Sequence, residues 1–247
     1  MIQAGKPFDK RRALIVPGSQ EATENYCIDH FFEVGQEALQ HRGIFAVSLS
    51  GGSTPKPIYE GIVRRAGEMD WSKVLLYWTD ERCVPPNHKD SNYKMAMEAG
   101  FARLPIPAAN IHRMKGELDP EEAAAQYEKI LRSTLPEGAL DLTILGMGDD
   151  GHTASLFPKT HALHVENRLA VANYVPQKTS WRLTLTYPCI NHSRNPVFYV
   201  MGKGKAAMFD QIFNGDYDPD LYPSQKVGTP SHPVLWIADN GALDYNR

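Results

Sequence analysis

Cysteine is scarce. Cys27, Cys83 and Cys189 are the only three, they lie far apart, and no C-x-x-C occurs. Such usage suits a reducing compartment and excludes a disulfide framework or a thiolate-built structural zinc site. H-E-x-x-H is also missing, and the spacing of His152, His161 and His164 fits no zinc pattern, so no metal is expected. No apolar run is long enough to span a bilayer. The opening MIQAGKPFDKRR has no apolar core of the signal-peptide kind. A soluble cytoplasmic protein with no membrane contact is the expectation. An excess of positive charge is absent, the formal net charge being -3. Phosphate backbones call for a basic surface, and the aromatic residues do not interleave with a basic stripe, so nucleic acid is not an expected partner. Repeats, low-complexity tracts and linkers are absent, and residues 1–247 are taken as a single domain. With 42% hydrophobic residues the chain can bury a full core.

What is present is an alternation of strands and helices. Buried-strand candidates are ALIV (13–16), IFAVSLS (44–50), VLLYWT (74–79), DLTILG (141–146), LAVANYV (169–175), RLTLTY (182–187), VFYVM (197–201) and VLWIAD (234–239). Residues 21–42 carry apolar side chains at helical spacing and end near Gly43, a plausible C-cap. Further helices are expected over 56–66, from the Asp90-Ser91 cap to Met97, after Asp119-Pro120, over 203–213, and briefly at the C-terminal end. Near-continuous apolar strands between helices imply an α/β fold whose mostly parallel sheet is covered on both faces. Sites in such folds form at the carboxyl ends of strands.

Four stretches occupy such ends. LSGGSTP (49–55) has two glycines that admit a close ligand, hydroxyls at Ser50, Ser53 and Thr54, and a helix that starts at once. The free N–H groups of that helix suit a phosphate. It is no Walker loop, and an ordinary serine-capped turn is the bland alternative. WTDERCVPP (78–86) puts Asp80 and Arg82 after a strand. Arg82 can grip an anion with two parallel hydrogen bonds and Asp80 can orient a hydroxyl, unless the cluster is a surface salt bridge. LGMGDDGHTASLFP (145–158) contains a formal G-x-G-x-x-G at Gly146, Gly148 and Gly151. Asp149 and Asp150 would set negative charge beside a pyrophosphate, which disfavours dinucleotide binding. The same residues suit base catalysis. A histidine accepts a proton near neutral pH, and an aspartate two positions earlier can fix its tautomer. A histidine that merely caps a turn remains the alternative for His152. Last come Arg182 and Lys205, each able to reach a bound anion and each equally readable as a solvated surface charge.

Taken together, SGGSTP, TDER with CVP and SNY, LGMGDDGHTASLFP, RLTLT, GKGKA and a closing W-x-x-D resemble the 6-phosphogluconolactonase family, in order and spacing from Ala13 to Asp239. The resemblance implies a three-layer, Rossmann-like fold shared with glucosamine-6-phosphate isomerase/deaminase. It implies hydrolysis of 6-phosphoglucono-1,5-lactone to 6-phosphogluconate, the second step of the oxidative pentose phosphate pathway, with no cofactor and no metal. On that pattern His152 is the general base and Asp150 orients it. Gly51, Gly52, Ser53 and Thr54 hold the 6-phosphate with Arg82, Arg182 and Lys205, and Asp80 contacts sugar hydroxyls. The related isomerases carry a glutamate before the proline where this chain has Phe157, and an aromatic residue where it has Arg82. Both differences favour the lactonase. A non-catalytic sugar-phosphate sensor would need no Asp150–His152 pair. Thr79 departs from the family's glycine, where it can reshape the loop entrance. Lys203 competes with Lys205 for the phosphate. The expected partner is the phosphorylated lactone, and the expected assembly a monomer or small homo-oligomer.

Overall fold

Side-chain alternation decides how the main sheet is covered. Residues 6–244 are described by a computed structural model. Along β3 (Phe45–Leu49), Phe45, Val47 and Leu49 enter one apolar cluster, with Phe31 of α1 (Gln20–Arg42) and Ile58 of α2 (Pro55–Arg64). Ala46, between them, faces the opposite cluster. β4 (Val74–Trp78) alternates likewise: Val74, Leu76 and Trp78 to the first cluster, Leu75 and Tyr77 to the second. The second cluster takes Tyr127 and Leu131 from α4 (Pro120–Thr134), reached past α3 (Asn92–Glu98). A period of two on a sheet apolar on both faces demands two helical layers, and the chain supplies them.

The order across the main sheet, among the described residues, is β1-β2-β10-β9-β6-β3-β4. Here β1 is Lys6–Pro7, β2 Arg12–Ile15, β6 Leu142–Leu145, β9 Pro196–Val200 and β10 Val234–Ala238. Every pairing is parallel except β1 with β2. The architecture is the three-layer, Rossmann-like one expected. From β3 the chain passes outward to β4, whereas from β6 it passes the other way, to β9 and β10. The connection therefore changes direction between β3 and β6, where open α/β sheets leave a crevice at the carboxyl ends of the strands.

Two expected strands join a different sheet. β7 (Ala170–Val175) and β8 (Ser180–Leu185) form an antiparallel hairpin, and β5 (Asp80–Arg82) pairs with β8. D-E-R, expected as loop, is thus a short strand. Thr79 is the transfer point: its N–H donates to Leu49 O of the main sheet at 2.9 Å, and its carbonyl accepts from Leu185 N of the small sheet at 2.8 Å. It is fully buried, so it does not shape a loop entrance as its departure from glycine implied. A short helix α5 (Tyr187–Asn191), not foreseen, follows β8, and α6 (Ala206–Asn214) follows a one-turn 3-10 segment at Lys203–Lys205. The expected terminal helix is a single 3-10 turn at Gly241–Leu243. Residues 1–5 of the opening stretch lie outside the described residues.

Candidate active site

Two buried tyrosines fix where the strands stop and the site begins. Tyr59 of α2 donates its hydroxyl to Ser50 O at 3.0 Å and accepts from Ser50 N at 2.9 Å. Tyr127 of α4 does the same for Trp78 at the end of β4, at 3.1 and 2.9 Å. Beyond these clamps a cavity of about 260 Å³ opens. Ser50–Pro55, Asp80, Arg82, Asn92, the Gly146–Asp149 turn, His152, Ala154 and Lys205 line it. Of the ten residues singled out in the sequence, Gly51, Gly52, Ser53, Thr54, Asp80, Arg82, His152 and Lys205 face this one space.

The phosphate-type loop keeps its donors free. Thr54 occupies the N-cap position of α2 with helical backbone angles, and its hydroxyl does not cap the helix. Pro55 and Pro57 leave the first turn of α2 short of N–H groups, so the backbone donors that line the cavity are those of the Gly51–Thr54 turn itself. Gly51 is needed for another reason: a Cβ there would lie 1.8 Å from Asn92 Oδ1. The Asn92 amide occupies that space and donates to Asp80 O at 3.0 Å and Asp80 Oδ1 at 3.1 Å.

Asp80 is a buried hub. Its second oxygen, Oδ2, accepts from Ser155 Oγ at 2.7 Å. With Asn92 and, at 3.5 Å, Thr79 Oγ1 on Oδ1, three of a carboxylate's about four acceptor positions are taken and one remains for a ligand hydroxyl. Glu81, next to it, faces away and accepts from Ser91 Oγ and from the Asn92 and Tyr93 N–H groups, fixing the start of α3. Burial pushes the Glu81 carboxyl above its ordinary value, and those donors pull against it.

The His152 turn is built tightly. The Asp150 carboxylate accepts from the Nδ1–H of His152 and, at 3.2 Å, from its backbone N–H. An ionised carboxylate only accepts, so the proton sits on Nδ1 and Nε2 is left with a lone pair. Burial works to raise the Asp150 carboxyl, but the His152 hydrogen bonds and charge outweigh it, and the group lies below the usual carboxylate value. Asp150 itself touches the imidazole rather than the cavity. A Cβ on Gly148 would lie 2.0 Å from Nδ1, so only glycine lets the turn close on the ring. Ala154 has φ 47°, a left-handed backbone rare outside glycine. The next residue is held from three sides: Ser155 N donates to Thr184 Oγ1 at 3.1 Å, Asn173 Nδ2 donates to Ser155 O at 2.9 Å, and Ser155 Oγ reaches Asp80.

The basic residues divide. Arg82 lines the cavity and donates to Asp90 O at 2.6 Å. Lys205 lines it and pairs with Asp149 at 2.5 Å, whereas Lys203 is 70% exposed and pairs with Asp244. The sequence left these two lysines open, and only Lys205 faces the cavity. Arg182 stands opposite Arg82 across the β5–β8 pair and is absent from the lining. Its guanidinium donates to Ser180 Oγ and Trp181 O, and burial, then the Arg82 charge, holds it below its ordinary value. Asn92 is a lining residue the sequence reading did not assign, as are Met147, Ala154, Tyr199 and Val200. The only signal for Asn92 was its place in the SNY motif. Among the described residues no three histidine, cysteine or acidic side chains gather to hold a metal ion, and no helix is long and apolar enough to cross a membrane.

The chain is similar to known proteins in sequence and fold. The family model for glucosamine-6-phosphate isomerases/6-phosphogluconolactonase matches residues 18–236. A 6-phosphogluconolactonase of Chlamydia trachomatis is 39% identical over 230 residues, covering 93% of this chain and 88% of that protein. One from Synechocystis is 43% identical over 213 residues, covering 83% and 86%. The crystal structure of a 6-phosphogluconolactonase from Thermotoga maritima superposes with a TM-score of 0.79 at 27% identity, over 93% of this chain and 99% of that one. A helix-covered parallel sheet, a glycine–serine–threonine turn and an aspartate-bound histidine on one crevice, with a family match across most of the sequence, place this chain in the glucosamine-6-phosphate isomerase/6-phosphogluconolactonase family.

Proposed function

We propose that the protein hydrolyses 6-phospho-D-glucono-1,5-lactone to 6-phospho-D-gluconate, with His152 as general base. One observation carries the reading: His152, oriented by Asp150, and the Gly51–Thr54 turn line the same cavity. The relatives named 6-phosphogluconolactonase support it, as does Phe157 at the place where the isomerases carry glutamate.

The phosphate sits on the Gly51–Thr54 turn, with Arg82 and Lys205 supplying positive charge. Anchoring that end brings C1 of the ring toward His152, and positioning of this kind lowers the barrier by making the reaction effectively unimolecular. Nε2 takes a proton from water while the water oxygen bonds to C1. The tetrahedral intermediate then breaks its bond between C1 and the ring oxygen, and the imidazolium returns the proton to that oxygen. The acid formed at C1 ionises to the carboxylate. Asp150 stabilises the imidazolium between these two transfers. Asp80 offers its free acceptor position to a sugar hydroxyl. Arg182 acts from behind Arg82, on the site's charge rather than on the phosphate itself.

The test is hydrolysis of fresh phosphorylated lactone, corrected for spontaneous opening, beside the unphosphorylated lactone and the His152→Ala protein. The wild type is expected to prefer the phosphorylated substrate strongly in kcat/KM. His152→Ala is expected to lose about 10²–10⁴-fold in kcat. Equal kcat/KM on the two lactones would remove the anchor from the account, and wild-type kcat in the folded variant would remove the base.

A further inference from the structure

The His152 ring has an aromatic neighbour that the hydrolysis above does not use. The rings of His152 and Phe157 stack with centroids 3.9 Å apart and planes 18° from parallel. Phe157 is buried, and its carbonyl accepts from Thr160 Oγ1 at 2.7 Å. Between the two rings the chain folds back on itself: Thr153 and Leu156 form an isolated bridge, and Leu156 N donates to Thr153 O at 2.9 Å. This return lays Phe157 over the imidazole. Asp150 fixes the ring's rotation in its plane, and the stack fixes the plane itself.

We propose that Phe157 is a positioning residue that presents its aromatic face to His152 and stabilises the imidazolium over the neutral ring. The inference rests on the base role assigned to His152 above. A cation over an aromatic face within about 6 Å is attracted by the ring quadrupole, and a neutral imidazole far less. The stack therefore strengthens as the water proton arrives, which makes it an interaction of the transition state rather than the ground state. Other charged groups act on the same ring. Asp150 binds Nδ1, the Asp149–Lys205 pair flanks the turn, and Asp80 and Arg82 of β5 line the cavity it faces. None of these changes when the electronics of the Phe157 ring alone are altered.

The experiment replaces Phe157 by pentafluorophenylalanine, which nearly keeps the shape and inverts the quadrupole, with Phe157→Leu as a second variant. Two quantities are read: the pH titration of the His152 Cε1–H resonance by NMR, without substrate, and kcat and KM on the phosphorylated lactone. In both variants the resonance is expected to titrate at lower pH than in the wild type. For the fluorinated protein kcat is expected to fall about 3- to 10-fold with KM nearly unchanged, the size of a partly desolvated cation–π contact. An unchanged titration in the fluorinated protein overturns the proposal, even with reduced kcat, because the ring would then act by shape alone. A wild type that leaves the phosphorylated lactone intact would overturn the hydrolase reading instead, and the NMR comparison would still decide this one.

Discussion

A Cβ at position 148 would lie 2.0 Å from Nδ1 and 2.1 Å from Cε1 of His152, and 2.8 Å from Asp150 Oδ1. Gly148→Ala must therefore push the imidazole away from its carboxylate or open the turn. A displacement of about 1 Å at a reacting group costs on the order of 10²-fold. Steady-state assay of Gly148→Ala is expected to show a kcat loss of that order, while the melting temperature moves little, because the turn is at the surface of the site. A variant with normal kcat would mean that the ring has room the geometry denies. The same glycine shows what the sequence can and cannot decide at this scale. Gly146, Gly148 and Gly151 have dinucleotide spacing, and spacing alone does not say what approaches the backbone. The two aspartates turned the reading toward catalysis, since they oppose a pyrophosphate. That the middle glycine makes room for an imidazole, and that Phe157 lies across the same ring, depends on a chain reversal no local pattern encodes.

Between residues and the whole stands the small antiparallel sheet, which carries the His152 loop. Asp80 of β5, Thr184 of β8 and Asn173 of β7 each bond Ser155, three residues after the histidine. Removing the hydroxyl in Ser155→Ala leaves Asp80 Oδ2 buried with no donor from this residue, a loss of about 1–3 kcal/mol. For a chain of this size that corresponds to about 2–4 °C in melting temperature per kcal/mol. The left-handed Ala154 loses part of its support as well, so kcat is expected to fall alongside, and differential scanning calorimetry with a kinetic assay checks both. A drop in kcat with unaltered melting would place the effect on the loop alone. The longer helices and main strands were legible from sequence because their periods and caps are local: Ser91 and Asp119 cap as their types require. β5 was not legible. Three residues carry no period, and their partners on β8 lie about a hundred positions away. Asn92 escaped for the same reason, since its contacts run to Gly51 and Asp80 across the fold.

At the scale of the molecule, the question is what couples the helical layer to this small sheet, since the site is framed by both. Glu128 of α4 answers part of it. Its carboxylate accepts from Arg168, from Arg132 Nη2 at 2.7 Å and from Leu169 N at 3.1 Å, at the entrance to β7. Burial works to raise the Glu128 carboxyl, but the Arg168 and Arg132 hydrogen bonds, with Leu169 N–H, prevail and hold it below its ordinary value. A carboxyl whose value is depressed by folding stabilises the fold while it is ionised. That contribution is complete above the unfolded-state value and disappears as pH falls through the folded-state value. Glu128→Gln keeps the shape and removes the charge. Urea titrations are expected to show the wild type ahead by about 1–2 kcal/mol near neutral pH, since both arginines remain partly in solvent. The lead narrows once pH drops below the usual glutamate range and closes when Glu128 protonates in the folded protein. If the two proteins instead differ by the same amount at about pH 7 and about pH 3, the helix and the small sheet are joined by packing of Tyr127, Leu131, Ala170 and Ala172 and not by this charge.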